Sequence, residues 1–372
     1  MKKQNRTNPR PENAQTGTQQ EKSNARYEVI KLGIDWHARQ YRVARIIDNA
    51  APEPAQRFTP EAFLKWARAQ LEHAEVVISC YEAGAGGFVL HRQLTALGVK
   101  NLVVAPRKLD RNQRGVKTDK TDARDLAMDL DRYVRGNDKA LRVVHVPSPE
   151  LEQQRVQTRQ RQQLQRKRLA LAAQGRSLLL TQGWRESNQW WKAKRWTKLE
   201  EILPSWVVDA LKVWRELIVM FDRAMSRLQR QIQKAAPACR PKGLGAMSYE
   251  EIVREVADFR RFKNRKAPGS YIGLCGGVSG SDQKVHDLSI TKAGNRRLRT
   301  MLIEAAWRWV IYQPQSRAVQ RWREVLLAPG AHPRGRKRAI VALARQLFVD
   351  LWRWQTGRAN PEQLGWKMVT AA

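Results

Sequence analysis

Asp119 and Asp122 stand three residues apart in "KTDKTDARDLA", each preceded by Lys-Thr. That spacing puts them on one face of a helical turn. Asp35 closes the apolar run "YEVIKLGID", and Glu82 ends another in "EVVISCYE". A strand-end acid has no helix to cap, whereas the Asp119–Asp122 pair can also be read as an N-cap and a first-turn acid favoured by the helix dipole. In a mixed α/β sheet, ligands gather beyond the ends of neighbouring strands, so the four acids can meet at one point. Bare carboxylates a few ångströms apart repel and are driven to take up protons. A hard divalent cation removes that penalty. Mg²⁺ prefers carboxylate oxygens and water and usually keeps positions open for phosphate. Two such ions can hold both the entering and the leaving oxygen at a phosphorus. These residue types therefore suit metal-dependent phosphodiester chemistry.

The rest of the composition points to the same substrate class. The 372-residue chain carries 69 Lys and Arg against 35 Asp and Glu, a formal net charge of +34. Charge on that scale favours a polyanionic partner, because each cation that neutralises a phosphate releases condensed counterions. No apolar run is long enough for a membrane span, so a membrane partner is not expected. The three cysteines, Cys80, Cys239 and Cys275, form no CxxC pair. This fits a reducing cytoplasm and argues against a zinc knuckle.

The elements that must position the acids follow from periodicity. Residues 1–26 read as a disordered basic arm. Residues 27–149 alternate strands and helices: a hairpin of "YEVIKLGID" and "YRVARIID", a helix in "TPEAFLKWARAQLEHA", a strand in "EVVISCYEAG", a helix stopped by Gly98, and a strand in "KNLVVAP". A helix then begins near Lys120, and "LRVVHVP" is expected as a last short strand. This pattern predicts a mixed sheet covered on its faces. Residues 150–236 predict long helices, the first rich in Gln and Arg and the second returning antiparallel as a coiled-coil arm. "WWKAKRW" sets Trp190, Trp191 and Trp196 among cations, either as helix-packing core or as base-stacking residues. Residues 237–325 hold a glycine turn, "PKGLG", that resembles a phosphate-binding helix-hairpin-helix turn. A small strand, a Gly/Ser-rich loop and a basic helix follow it. Residues 326–372 read as a basic helical tail.

"GID", "YEAG" and "KTDKTDARDLA" together resemble the DEDD transposases of bacterial insertion sequences, the recombinases that work with a bridge RNA. "YIGLCGGVSGSDQKVHDLSITKAGNRRLRTMLIEAAW" is similar to their C-terminal transposase region, and the likeness runs over about residues 28–325 in the family's order. The resemblance implies an α/β N-terminal domain of the RNase H-like (RuvC-like) type, a long helical coiled-coil arm and a small, mainly α C-terminal transposase domain. Carried over by position, it makes Asp35, Glu82, Asp119 and Asp122 the Mg²⁺ ligands. It places a nucleophilic serine at Ser281, with Ser279 as the alternative and Ser289 and Ser270 behind them. Lys117, Lys120, Arg124, Lys292, Arg296, Arg297 and Arg299 are the candidate nucleic-acid contacts, although Lys292 suits a solvated helix start equally well. The resemblance also implies donor and target DNA, a non-coding bridge RNA, and a homo-oligomer, dimer or tetramer, in a bacterial cytoplasm at the nucleoid. Trp36-His37 after the first acid, Asp282 after the serine and the polar "PKGLG" depart from the family's pattern. Two other readings compete. One is a junction resolvase or nuclease that uses water with the same acids. The other is a non-catalytic nucleic-acid-binding protein.

Overall fold

The computed structural model describes residues 26–106, 119–187, 189–281, 284–330 and 332–369, without the side chains of 119–121, 278–281 and 284–287. The basic arm, Lys117 and Asp282 thus lie outside the described residues. The chain forms two compact units that divide between Val146 and Pro147.

The first unit is built on a five-stranded sheet. Its strands are β1 (Tyr27–Trp36), β2 (Tyr41–Ile47), β3 (Gln56–Phe58), β4 (Ala74–Glu82) and β5 (Lys100–Val104), in the order β3-β2-β1-β4-β5. β1 pairs antiparallel with β2 and parallel with β4, which pairs parallel with β5. Helices α1 (Pro60–His73) and α2 (Val89–Leu97) precede β4 and β5. Thr59 caps α1, accepting from Ala62 N at 3.3 Å, and Gly98 ends α2 at φ 103°, where a side chain would strain the backbone. Ile30, Leu32 and Ile34 alternate along β1 and bury against Phe63, Ala67, Leu90 and Leu94.

The other face of β1 belongs to α3 (Asp119–Val134). A Cβ at Gly33 would stand 2.2 Å from Ala127 N and 2.3 Å from Ala123 O, so the helix backbone rests directly on the strand. Lys31, buried on this face, donates to Asp131 Oδ1 at 2.6 Å and to the Asp48 carbonyl at 2.7 Å. Breaking such a buried pair typically costs about 3–5 kcal/mol. "LRVVHVP" does not form the expected strand. It touches the sheet through one bridge, Val104–Val143, and is held instead by Val144 and Val146 packing on the core. β3 is a strand the sequence reading did not anticipate.

In the second unit α4 (Pro149–Thr181), α5 (Ala193–Ile202) and α6 (Ser205–Lys234) come first. Arg168 pairs with Asp222 at 2.9 Å and Arg161 donates to Gln229 at 3.3 Å, so α4 and α6 run antiparallel. Trp190, Trp191 and Trp196 are core residues rather than a stacking surface. Gly175 of α4 leaves the space that the Trp190 ring fills, and the indole donates to Ala172 O at 3.0 Å.

The remaining elements are β6 (Arg240–Pro241), α7 (Ala246–Val256), α8 (Lys266–Tyr271), β7 (Gly276–Ser281), β8 (Lys284–Ile290), α9 (Arg296–Tyr312), α10 (Arg317–Gln320), α11 (Arg323–Leu326), α12 (Pro333–Gln355), α13 (Pro361–Leu364) and β9 (Met368–Val369). The segment expected as a Gly/Ser loop is an antiparallel hairpin, β7–β8. The basic "tail" is α12, and it packs in the same core as α7 and α9 through Ile340, Leu343, Leu347, Phe348 and Leu351. Its arginines and lysines hide an apolar stripe at helical spacing.

Two stability predictions follow from these contacts. Gly33→Ala should lift α3 and destabilise the first unit by about 1–3 kcal/mol, the usual cost of overpacking, read as a lowered Tm for that unit. Asp350 is buried on α12, and desolvation pushes its carboxyl up to about 6 from 3.8, against the pull of Gln346 and Arg353. A carboxyl with a raised folded pKa binds its proton more tightly in the folded state. Stability should therefore be fullest below about pH 4 as far as this group is concerned, and decline as pH rises towards 6. Asp350→Asn should flatten that slope, and the expected result is a larger gain in Tm at pH 8 than at pH 4.

Candidate catalytic centre and nucleic-acid interface

Asp35 and Glu82 are brought level by strand pairing. The parallel register sets Ile34 against Tyr81, so the next residues, Asp35 and Glu82, end adjacent strands side by side. Asp35 shares a sheet face with Gly33 and Lys31, and Glu82 shares one with Cys80, whose thiol donates to Leu126 O of α3 at 3.5 Å. Both acids therefore stand on the face that α3 covers.

The direction of α3 decides which of its ends they meet. Lys31 lies beside Asp131 and Gly33 beside Ala123 and Ala127, so moving forward along β1 means moving back along the helix. One further step along the strand reaches Asp35, and one further turn back reaches Asp119 and Asp122. Asp119 is the first residue of α3, and a single helical turn repeats on one face every three to four residues. Asp122 is half-buried; the Asp119 side chain lies outside the described residues. Three of the four predicted acids are thus placed at one end of the sheet, and the backbone of the fourth starts the helix that faces them.

The loops around the acids are tied together. A Cβ at Gly86 would stand 2.3 Å from the Trp36 ring, so the "YEAGAGG" turn lies against the indole that follows Asp35. Tyr81 donates to Gly87 O at 3.0 Å across the same turn. Trp36, an unusual residue by sequence, thereby anchors the turn that follows Glu82.

Two basic residues that the sequence reading did not select stand at the centre. Arg42 is the antiparallel cross-strand partner of Asp35, and its half-buried guanidinium has an Nε with no acceptor among the described residues. His37 Nε2 lies 3.3 Å from Asp35 Oδ2 and is half exposed. The hairpin register was the available signal for Arg42, because the turn "WHARQ" sets which residue faces Asp35.

Among the described residues no three His, Cys, Asp or Glu side chains are gathered closely enough to hold an ion. The donor set is nonetheless all carboxylate, set beside the positive end of a helix dipole. Its chemistry suits a hard divalent cation rather than zinc or copper.

In the second unit, Ser281 is the last residue of β7, paired with Lys284 at the hairpin tip, and Ser279 pairs with His286 two residues below. Their side chains lie outside the described residues. The hairpin is seated by two glycine motifs in backbone contact. A Cβ at Gly294 would stand 2.4 Å from Tyr271 O, and one at Gly273 would stand 2.8 Å from Ala293 O. Lys292 between them takes a left-handed φ of 54°. Asn295 caps α9, accepting from Arg297 N at 3.0 Å and Leu298 N at 3.1 Å, and donates to Glu255, which also pairs with Arg159. This packing explains why "YIGLC" and "TKAGN" occur together.

The candidate cations divide. Arg299 donates to Ile272 O at 3.0 Å and Lys292 O at 3.1 Å, bracing the glycine turn. Arg297 donates to Gln162 of α4 at 2.6 Å. Lys292, Arg296 and Arg124 are exposed; the Lys120 side chain lies outside the described residues. In "PKGLG", Lys242 N bonds to Lys367 O at 2.8 Å, so one amide of that turn is already used by the chain's own end.

Comparison with known proteins covers both regions. Residues 32–182 match a DEDD-type transposase family, and residues 239–321 match the family described as Transposase IS116/IS110/IS902. The first match takes in Asp35, Glu82, Asp119 and Asp122, and the second takes in Ser281 and the whole of α9. A transposase of Sinorhizobium fredii, y4rJ, is 32% identical over 319 residues, covering 77% of this chain and 79% of that protein. The transposase of insertion sequence element IS1533 of Leptospira borgpetersenii is 26% identical, over 75% of this chain and 84% of its own. That of IS1111A of Coxiella burnetii is 24% identical, over 75% and 78%. A DEDD domain carries with it a RuvC-like fold, in keeping with the mixed sheet and its covering helices. The chain belongs to the IS116/IS110/IS902 family of transposases, enzymes that cut and rejoin DNA.

Proposed function

We propose that the chain is an RNA-guided, Mg²⁺-dependent recombinase that moves its own insertion sequence through a serine nucleophile. The observation that carries the reading is the level placement of Asp35 and Glu82 on the sheet face covered by α3, at the end of the helix where Asp119 and Asp122 lie. Asp35, Glu82, Asp119 and Asp122 would hold the metal, which when bound polarises a phosphate and stabilises charge on a leaving oxygen. Arg42 offsets the negative charge of the cluster and can orient a phosphate beside it.

Ser281 attacks the scissile phosphorus. A serine–phosphate bond forms, the bond to the 3′ oxygen breaks, and the proton lost from serine is balanced by the proton that the 3′ oxygen takes up. The energy of the phosphodiester is kept in the serine ester, so the reverse attack by another 3′ hydroxyl rejoins the strand. Lys292 and Arg296 grip the backbone beside the serine, while Arg299 holds the shape of the turn and Arg297 ties α9 to α4. Lys117, Lys120 and Arg124 serve the same purpose around α3. The α4–α6 pair acts as a coiled-coil arm between copies in a dimer or tetramer. Donor and target sequences are selected by pairing to a bridge RNA, and the protein reads duplex shape and backbone.

The serine is tested by trapping. With DNA, RNA and Mg²⁺, a protein–DNA adduct that survives denaturing electrophoresis is expected from the wild type and from Ser279→Ala but not from Ser281→Ala. Free ends without any adduct would favour water as nucleophile. For the acids, Asp35→Ala and Asp122→Ala should lower strand cleavage at least about a hundredfold while leaving RNA affinity within about twofold. A fully active variant of either would remove the metal reading.

A further inference from the structure

The C-terminal unit contains a cavity of about 1210 Å³ that lies against the base of the serine hairpin. Most of one wall is a single face of α12, where Lys337, Arg338, Arg345 and Arg353 recur at helical spacing with Val341 and Val349 between them. Arg265, Arg321 and Arg358 enter from other segments, and Leu274, Leu288 and Ile290 of the hairpin region supply an apolar side. Every charged residue lining the cavity is basic. Arg353 stands 3.7 Å from Asp350, which lies behind the wall; the other six have no carboxylate partner among the described residues. Like charges gathered this way repel one another and are stabilised by an incoming polyanion.

Two indoles line the same cavity. The Arg358 guanidinium carbon lies 4.9 Å from the Trp352 ring centre and that of Arg321 5.3 Å from the Trp322 ring centre, so each indole carries a cation over its face. The Trp352 ring is almost wholly buried, and its Nε1 has no acceptor among the described residues. Arg345 is pressed on the backbone of Gly269, where a Cβ would stand 2.9 Å from its Nε, and this fixes the direction of its fork. The ligand these walls fit is rich in acceptors, repeatedly anionic, and carries flat rings between its charges.

We propose that this cavity is a binding site for an unpaired stretch of nucleic acid, its phosphates on the α12 cations and its bases against the Trp–Arg planes and the aliphatic floor. Unpaired bases stack on aromatic rings and on guanidinium planes, whereas a duplex keeps its bases covered and offers only its backbone. The volume exceeds the roughly 300–1,000 Å³ of small-molecule pockets, in keeping with more than one nucleotide. α12 lies beyond residue 321, outside the segments matched to the family. Gly276 and Ser289, which line the cavity, are at the base of the hairpin whose tip is Ser281. Five extended residues span about 17 Å, so a strand seated here would enter or leave beside that tip. Only this last placement rests on the serine reading; the binding does not.

The test uses the full chain without metal, so its outcome is separate from cleavage. Fluorescent oligothymidylate, oligouridylate and a duplex of equal length are titrated by anisotropy against wild type and the variant Lys337→Ala/Arg338→Ala/Arg345→Ala. Single-strand affinity should fall at least about tenfold and its salt slope by about 2, since each phosphate contact contributes about 0.7. Duplex affinity should change by less than about threefold, and the two single strands report whether DNA or RNA is preferred. A charge-matched variant, Arg223→Ala/Arg227→Ala/Arg230→Ala on α6, should not reproduce the single-strand loss. In the wild-type protein, photocrosslinking of an iodouridine-substituted strand should label peptides containing Trp322 or Trp352. Equal losses on duplex and single strand, equal losses from the α6 variant, displacement by polyglutamate as effective as by oligonucleotide, or crosslinks confined to other peptides would each overturn the proposal.

Discussion

The catalytic unit depends on one absent side chain. At Gly33 the backbone of α3 lies on β1 with no atom between, and any Cβ would meet main-chain atoms that cannot swing aside. That contact sets the height of the helix above the sheet. The Lys31–Asp131 pair fastens the far end of the helix to the same strand, because breaking a buried ion pair is costly. Together they bring the N-terminal turn of α3, where helix dipoles are positive, to the end of the sheet where Asp35 and Glu82 stand side by side. Asp35 thus has Arg42 across from it, Glu82 beside it and the start of α3 facing it.

In the second unit the corresponding constraint is the contact of two glycine turns. Gly273 and Gly294 allow the main chain after α8 to lie against the main chain before α9, and Arg299 binds carbonyls on both sides. The β7–β8 hairpin grows out of that junction, so its serines are carried on a rigid base. The large positive charge is correspondingly divided in its use. Arg159, Arg168, Arg254 and Arg299 are spent on carboxylates and carbonyls within the unit. Along one face of α12, Lys337, Arg338 and Arg345 have no carboxylate partner among the described residues, and it is these that remain for an external anion.

Much of this was legible from residue order. Strand-end acids are visible as an acid closing an apolar run, and the helix start at "KTDKTD" as a pair of acids before helical spacing. The tryptophans in "WWKAKRW" suited helix-packing core more than stacking, and Gly175, which makes room for Trp190, shows why they are core. The basic composition of α12 concealed its apolar stripe, since charge dominates any reading of residues 326–372 as a whole. The Gly- and Ser-rich segment carried no strand signal of its own; it is a strand because β8 pairs with it.

By itself the sequence determined the residue types, their order and the local elements: which acids end strands, which open a helix, and which serines lie between two glycine-rich motifs. These follow from short-range periodicity, which acts over a few residues. Only the tertiary structure decided that Asp35 is level with Glu82, that α3 runs so that its first turn faces them, that Arg42 stands across from Asp35, and that scattered arginines line one cavity. Register, helix direction and cavity walls are set by contacts between residues far apart in the chain. No local spacing encodes them.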